Sequence, residues 1–304
     1  MANIVAVGNP VYDTIKTLHL ETDGRVLSGC STNFCLAMSK LGVKTTLVGN
    51  IGEDYKEKFK SDLNKYRVEH VVYDSPESGG YSLRYYGDKG ERELNLLGNA
   101  GKIERFPDVI ETADWVVIAP ILGEVDLAYV EQIKARSEAR IFLDPQGILR
   151  YSEDGLISHR KMEETEKIIS MCDIVKPNEL ECKILTGIDP REDYRTPAEM
   201  IKSWGAGIVV ITLAEQGSIV YDGNEFFVIP PYKTRDLDPT GAGDTYAAGF
   251  MYGTIRGYGL PECGVLGSAV SSVMIENTGP DFPLTKSEAL DRMKKILISN
   301  EVNS

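Results

Sequence analysis

Residues 238–250, DPTGAGDTYAAGF, place glycines at 241 and 243 directly before one carboxylate, Asp244, with a third glycine at 249. The stretch that follows, TYAAGFMYGTI, is apolar and helix-compatible, so the spacing predicts a loop running into a helix N-terminus. Unpaired N–H groups and the helix dipole favour negative charge at such a terminus. Gly241 and Gly243 would let the backbone approach a phosphate with no Cβ in the way. Asp244 has two readings from chemistry alone. As an acid in the first helical turn it would add a few tenths to about one kcal/mol of stability, although flanking glycines suit a cap poorly because each costs conformational entropy. As a carboxylate beside an anion hole it would accept the proton of a hydroxyl that attacks a phosphoryl group.

Such a loop needs a scaffold, and the rest of the chain alternates strand-like and helix-like segments. Short runs rich in β-branched residues occur at 3–8, 45–52, 115–120, 139–145, 173–178 and 207–213, and amphipathic segments at 31–41, 125–138, 179–186 and 196–205 separate most of them. That rhythm predicts an α/β fold, with a mostly parallel central sheet covered by helices on both faces. Two pieces break it. Residues 11–28 and 71–98, with turns expected at Gly24 and at the GDKG of 87–90, read as a small antiparallel β lid built discontinuously. In the YSLRYY segment Tyr81, Leu83 and Tyr85 share one face and Ser82, Arg84 and Tyr86 the other. With no internal repeat and no low-complexity linker, one continuous domain over 1–304 carrying this lid is expected.

Composition narrows the function. A net charge of −13 disfavours a nucleic-acid partner, and no stretch approaches the roughly 20 apolar residues of a membrane helix. The N-terminus passes straight into a strand with no signal-like segment, which predicts a cytoplasmic protein. Five scattered cysteines, none in a C-x-x-C pair, read as plain small residues. Neither G-x-G-x-x-G after the first strand nor a Walker G-x-x-x-x-G-K-[ST] occurs, which sets aside a dinucleotide-binding oxidoreductase.

The DPTGAGD segment resembles the [DN]-x-T-G-A-G-D signature of the ribokinase-like (pfkB) carbohydrate kinases, which include ribokinase, fructokinase and adenosine kinase. The resemblance extends over nearly the whole chain. KPNELE (176–181) is similar to the family's N-x-x-E motif through Asn178 and Glu181, although the residues alone read as a strand end and a helix start. SGCSTNFCLAMSKLG (28–42) resembles the G-G-x-x-x-N pattern at Gly29 and Asn33, with Cys30 in place of the second glycine. VGNPVYD (7–13) looks like the first strand and loop, which make Asp13 a partner for vicinal sugar hydroxyls; the bland alternative is a loop acid. TLAEQG (212–217) resembles the T-x-G-x-x-G nucleotide segment at Thr212 and Gly217, with Ala214 where glycine is usual. LDPQGILR (143–150) is similar to the D-x-N-x-x-x-R variant, with Gln146 in place of Asn and Arg150 as either a phosphoryl partner or a surface charge.

What the resemblance implies is a three-layer ribokinase-like fold and an ATP-dependent phosphotransferase acting on an alcohol. Asp244 would be the general base, with Gly241, Ala242, Gly243 and Arg150 holding the phosphoryl group. Asp13, Gly29, Asn33 and Gln146 would bind the acceptor. Asn178, Thr212, Gly217 and the two loop glycines would bind the nucleotide. Glu181 would orient water around Mg2+, since that ion dehydrates reluctantly, and Asp238 falls where relatives bind a monovalent cation such as K+. The compact lid, the DPQG turn and the departures at Cys30 and Ala214 resemble the archaeal-type nucleoside kinases and inositol kinases of the family. The expected acceptor is therefore a nucleoside at its ribose 5′-hydroxyl, with myo-inositol, ribose or a ketohexose as the alternative. Leu83, Tyr85 or Phe34 would line a base pocket, the alternative being that the aromatic face of the flap serves lid packing or a dimer contact. A homodimer through the lid is expected, with a monomer as the alternative.

Overall fold

The computed structural model describes residues 2–86, 91–153 and 155–301, so the expected GDKG turn lies outside the described residues. Its first half runs β1 (Ile4–Val7), β2 (Val11–Lys16), β3 (Val26–Ser28), α1 (Cys30–Lys40), β4 (Thr45–Gly52), α2 (Lys56–Tyr66), β5 (Glu69–Ser75), β6 (Gly80–Tyr86), β7 (Glu91–Gly98), β8 (Trp115–Ile118), α3 (Leu127–Arg136) and β9 (Arg140–Leu143). There follow α4 (Gln146–Leu149), β10 (Arg150–Glu153), β11 (Leu156–His159), α5 (Thr165–Ser170), β12 (Ile174–Val175), α6 (Glu179–Thr186), α7 (Arg195–Ser203), β13 (Ile208–Thr212), β14 (Ser218–Tyr221), β15 (Phe226–Ile229), α8 (Ala242–Ile255), α9 (Leu260–Ile275) and α10 (Lys286–Glu301).

The main sheet has the order β15-β14-β13-β12-β9-β8-β1-β4-β5. From β13 to β5 every neighbouring pair is parallel, while β14 and β15 add an antiparallel edge. Alternate side chains enter different cores, as the period of two requires. Ile4 and Ala6 pack into one cluster with α1, α8, α9 and α10, and Val5 and Val7 into the other with α3, α5, α6 and α7. The result is helix, sheet, helix. Helix α8 is buried almost all round, from Asp244 to Gly253, because α9 covers the face that the sheet does not. Gly249 is explained here, since a Cβ on it would lie 2.5 Å from the Leu266 carbonyl oxygen of α9.

The lid is a second sheet of order β10-β11-β7-β6-β2-β3. It draws strands from 11–28 and from 80–98, and also from 150–159, a segment not expected there. Residues 69–75 correct the expected lid boundary, because they form the outer parallel strand of the main sheet. The β2–β6 pair is parallel and the other pairs are antiparallel. The lid has its own small core of Val11, Ile15, Tyr81, Leu83 and Tyr85, which matches the face division expected in YSLRYY. Phe34 lies elsewhere, 1% exposed in the main core, so it lines no base pocket.

Candidate active site

Ligands of open parallel sheets bind beyond the carboxyl ends of the strands, where neighbouring connections diverge. Here β1 is flanked by β4 and β8, and the segments leaving β1, β8, β9 and β12 carry Asn9, Glu124, Asp144 and Lys176 to that edge. The lid sits over it through β2, which leaves β1 after Pro10.

Helix α8 starts at Gly241, whose φ of 79° is left-handed and which makes no side-chain cap. A Cβ at 241 would also lie 2.9 Å from the Asn33 amide nitrogen, so glycine is required twice over. Gly243 differs. Its φ is ordinary and an added Cβ would meet only Lys176 Nζ at 3.4 Å, so the protein itself has room for alanine and the glycine leaves space for a ligand. The Ala242 amide is turned to Pro239 O at 3.2 Å, whereas the amides of Gly241, Gly243 and Asp244 have no hydrogen-bond partner among the described residues. The candidate anion hole is therefore those three amides, with Ala242 outside it.

Asp244 does not cap its helix. Its carboxylate, 9% exposed, accepts a 2.9 Å hydrogen bond from Asn33 Nδ2 of α1. Burial and then the charge of Asp144 push its carboxyl above the usual range, while Asn33, Lys176 and the Cys30 thiol oppose that rise. Lys176 is the cation shared by this cluster. It is 2% exposed and its Nζ lies 2.9 Å from Asp144 Oδ2; burial alone would lower it, but the carboxylates of Asp144 and Glu181 hold it raised. Asp144 also accepts from the Gln146 amide at 3.2 Å, and Gln146 Nε2 reaches Cys30 Sγ at 2.8 Å. Cys30, buried and free like the other four cysteines, is thus a site residue rather than filler.

On the acceptor side, Gly29 has a φ of 108° and precedes α1, and its carbonyl accepts from the Asn33 amide at 2.8 Å. Asp13 is 3% exposed and accepts from the Tyr81 amide at 2.7 Å, which ties β2 to β6. Burial raises its carboxyl to about 6 against hydrogen bonds from Ser28 and Tyr81 and the charge of Arg150. Arg150, 5% exposed, enters the site from β10 and is no surface charge. Behind this floor the buried Glu124 accepts from the amides of Asn9 at 2.9 Å, Ile121 at 2.7 Å and Leu122 at 2.7 Å, which fixes the β1 and β8 loops together.

On the donor side, Asn178 and Glu181 form a reciprocal capping box at the start of α6, with bonds of 2.8 and 2.9 Å. Glu181 is 3% exposed, and burial followed by Asp144 raises its carboxyl, so a cation beside it would be welcome. Among the described residues no three His, Cys, Asp or Glu side chains form a metal-binding group. Thr212 bridges to Asn178, and Gly217 turns the chain where the Ile229 carbonyl approaches closely. Ala214 has a φ of 47°, the left-handed conformation that the usual glycine would favour. Asp238 is fully buried, and its two oxygens accept from the Thr240 amide and the Thr278 hydroxyl, which anchors the turn.

The sequence did not disclose Lys176 or Glu124, and it offered Asp144 only as the first position of the D-x-N-x-x-x-R resemblance. A charge ending each of the apolar strand runs 173–178 and 139–145 was the available signal, since a charge buried there needs a partner.

An anion hole at a helix N-terminus, a buried carboxylate beside it and a polar acceptor floor define a phosphotransferase with an alcohol group as acceptor. The description "pfkB family carbohydrate kinase" matches residues 1–287, and the chain belongs to that family. The cytidine kinase of Thermococcus kodakarensis is 30% identical over 293 residues, covering 94% of this chain and 100% of its own. The nucleoside kinase of Methanocaldococcus jannaschii is 25% identical, covering 97% and 98%. A pyrophosphate-dependent kinase of the ribokinase family, solved with a pyrophosphate analog and myo-inositol, superimposes with a TM-score of 0.78 at 25% identity, covering 95% and 99%. The chain is accordingly a phosphotransferase that acts on an alcohol group of a small molecule. No helix among the described residues is long and apolar enough to cross a membrane.

Proposed function

We propose that the chain is a nucleoside kinase of broad specificity, transferring the γ-phosphoryl group of ATP to the ribose 5′-hydroxyl with Asp244 as general base. The observation that carries the kinase chemistry is the placement of the Asp244 carboxylate. It sits beside the free amides of Gly241, Gly243 and its own N–H, and is aimed at Asn33 and Cys30 on the acceptor side. Support for the nucleoside comes from full-length similarity to a cytidine kinase and a nucleoside kinase.

In this reading Asp13 and Asn33 orient the acceptor, and an analogue that lacks a hydroxyl would leave the buried Asp13 unpaired. Asp244 takes the hydroxyl proton as the oxygen attacks, which is typically worth about 10²–10⁴-fold. The three amides hold the phosphoryl oxygens, and Arg150 adds charge from the lid side. Glu181 would orient the water shell of Mg2+; when bound, that ion neutralises phosphate charge. The lid excludes water, which is itself a competing acceptor. A dimer through the lid suits the backbone edges that β3 and β10 present, and five buried free cysteines suit a cytoplasmic setting.

A sugar or polyol acceptor is the second reading. It is favoured by the burial of Tyr81, Leu83 and Tyr85 in the core of the lid, where they offer a base no stacking platform. Incubation with ATP and Mg2+ against nucleosides, pentoses, hexoses and myo-inositol, with ADP detected by a coupled assay, separates the two. Turnover with several nucleosides and no free sugar is expected. Turnover with inositol or a sugar alone would contradict the nucleoside, and silence across the panel would contradict the enzyme.

A further inference from the structure

Two guanidinium groups reach the site from the lid, and neither has a carboxylate within ion-pair distance among the described residues. Arg150 begins β10 and is 5% exposed; its Nε points at His159 Nε2, 3.4 Å away across the β10–β11 pair. Arg92 lies on β7 opposite Tyr85 of β6, and its Nη1 donates to the Tyr85 hydroxyl at 3.0 Å. That hydroxyl is also 3.0 Å from Thr240 Oγ1, and Thr240 is the residue before Gly241. Arg92 is therefore tied by two hydrogen bonds to the rim of the anion hole.

Arg150 is buried with no anion beside it, which is costly for a charge, whereas Arg92 is exposed on β7 and its guanidinium is held by the Tyr85 hydroxyl. The neighbourhood carries the sign of that imbalance. Burial, and then the charges of Arg150 and Arg92, push the His159 imidazole down to about 4, so it stays neutral and accepts from Arg150. Burial followed by the like charge of Arg92 pushes Arg150 down as well. The groups acting on this pair from the surrounding elements are Cys30 of α1, Glu181 of α6, Tyr81 and Tyr85 of β6, and Asp13 of β2. Cys30 marks the acceptor and Glu181 the donor, so both arginines face the space between them.

We infer that Arg92 is a catalytic residue delivered by the lid, which clamps the transferring phosphoryl group together with Arg150. This rests on the phosphotransfer reading of the site and holds for any alcohol acceptor. The acceptor oxygen forms its bond to the γ-phosphorus as the bond from that phosphorus to the bridging oxygen breaks. The hydroxyl proton goes to Asp244, the electron pair leaves with ADP, and the guanidiniums exchange no proton. Their contribution is charge held against the equatorial oxygens, the task for which a planar, permanently charged fork is suited. The Tyr85–Thr240 contact makes that charge depend on a closed lid. An acidic group on the acceptor would be the other claimant for Arg92, but the tie to Thr240 places this arginine at the phosphoryl end.

The test compares the wild type with Arg92→Met, Arg92→Lys and Tyr85→Phe. The first readout is the thermal shift given by Mg2+–ADP with and without aluminium fluoride, a mimic of the phosphoryl group in flight that requires no identified acceptor. The second is kcat and KM for ATP and for the best acceptor of the panel. In the wild type aluminium fluoride should add a shift beyond that of Mg2+–ADP. Arg92→Met should keep the Mg2+–ADP shift, lose the added one, and lower kcat by ~10²–10³-fold with KM changed only a few-fold. Arg92→Lys and Tyr85→Phe should fall between. No added shift in the wild type, or an added shift and a kcat that survive Arg92→Met, would overturn the inference, as would a rise in acceptor KM alone. If no nucleoside is turned over while the added shift is present and lost in Arg92→Met, the substrate reading fails and this one stands.

Discussion

Asn33 Nδ2 donates to Asp244 Oδ2 at 2.9 Å, and that bond joins the helix that carries the acceptor contacts to the helix that carries the anion hole. The two residues are 211 positions apart, yet the contact is locked further by Gly241, whose missing Cβ leaves the room that the Asn33 amide occupies. A hydrogen bond to the ionised form keeps a buried carboxyl usable as a base, because it offsets part of the rise that burial causes.

Replacing Asn33 with Ala should therefore raise the Asp244 carboxyl further. The base must be deprotonated to work, so the acidic limb of the kcat/KM profile should move to higher pH. A hydrogen bond to a charged group is worth roughly 1.5–3 kcal/mol, or about 10–100-fold in rate at the optimum. A pH–rate profile checks both, and an unmoved acidic limb would show that Asn33 does not bear on Asp244.

Asp13 gives a stability prediction of definite sign. Its carboxyl stands at about 6 in the fold against an ordinary 3.8, so the fold prefers the protonated form. Its contribution to stability is full below pH 3.8 and is lost as the pH rises through about 6. Two pKa units correspond to roughly 3 kcal/mol. Asp13→Asn should remove this slope from the thermal unfolding of the ligand-free protein between about pH 4 and 6 while raising acceptor KM. The same slope in both proteins would contradict the burial argument.

Ala214 holds a left-handed φ of 47° where the nucleotide segment would accept glycine. That conformation costs an L-residue roughly 1–2 kcal/mol, and glycine gives back roughly 0.5–1 kcal/mol through its greater chain entropy. Ala214→Gly should stabilise by up to about 1 kcal/mol and raise Tm by a few degrees in a melting scan. A lower Tm would mean that the methyl group contributes packing not apparent from its position.

Most of the main sheet was legible because its strands are continuous β-branched runs, as buried parallel strands must be. The lid was harder. Strand β5, EHVVYDS, and the lid strand β6, GYSLRYY, are both short and aromatic, and local pattern does not say that the first extends the main sheet while the second leaves it. Strands β10 and β11 carry few apolar residues and acquire their place only by pairing with β7. In the site, Gly241 and Asp244 were readable from spacing along the chain, whereas Asn178 and Glu181 came only through the family resemblance. Lys176 between Asp144 and Glu181, Gln146 on Cys30, and Arg92 through Tyr85 on Thr240 depend on segments far apart in sequence, so only the fold assembles them.

The central claim is that the Asp244 carboxylate takes the acceptor proton, and the direct test is single-turnover phosphoryl transfer by Asp244→Asn beside ATP binding by calorimetry. ATP affinity should stay within a few-fold of wild type, because the Gly241 and Gly243 amides and the Asn178–Glu181 box are untouched, while the transfer rate should fall by about 10²–10⁴-fold. A transfer rate equal to that of the wild type would contradict the account.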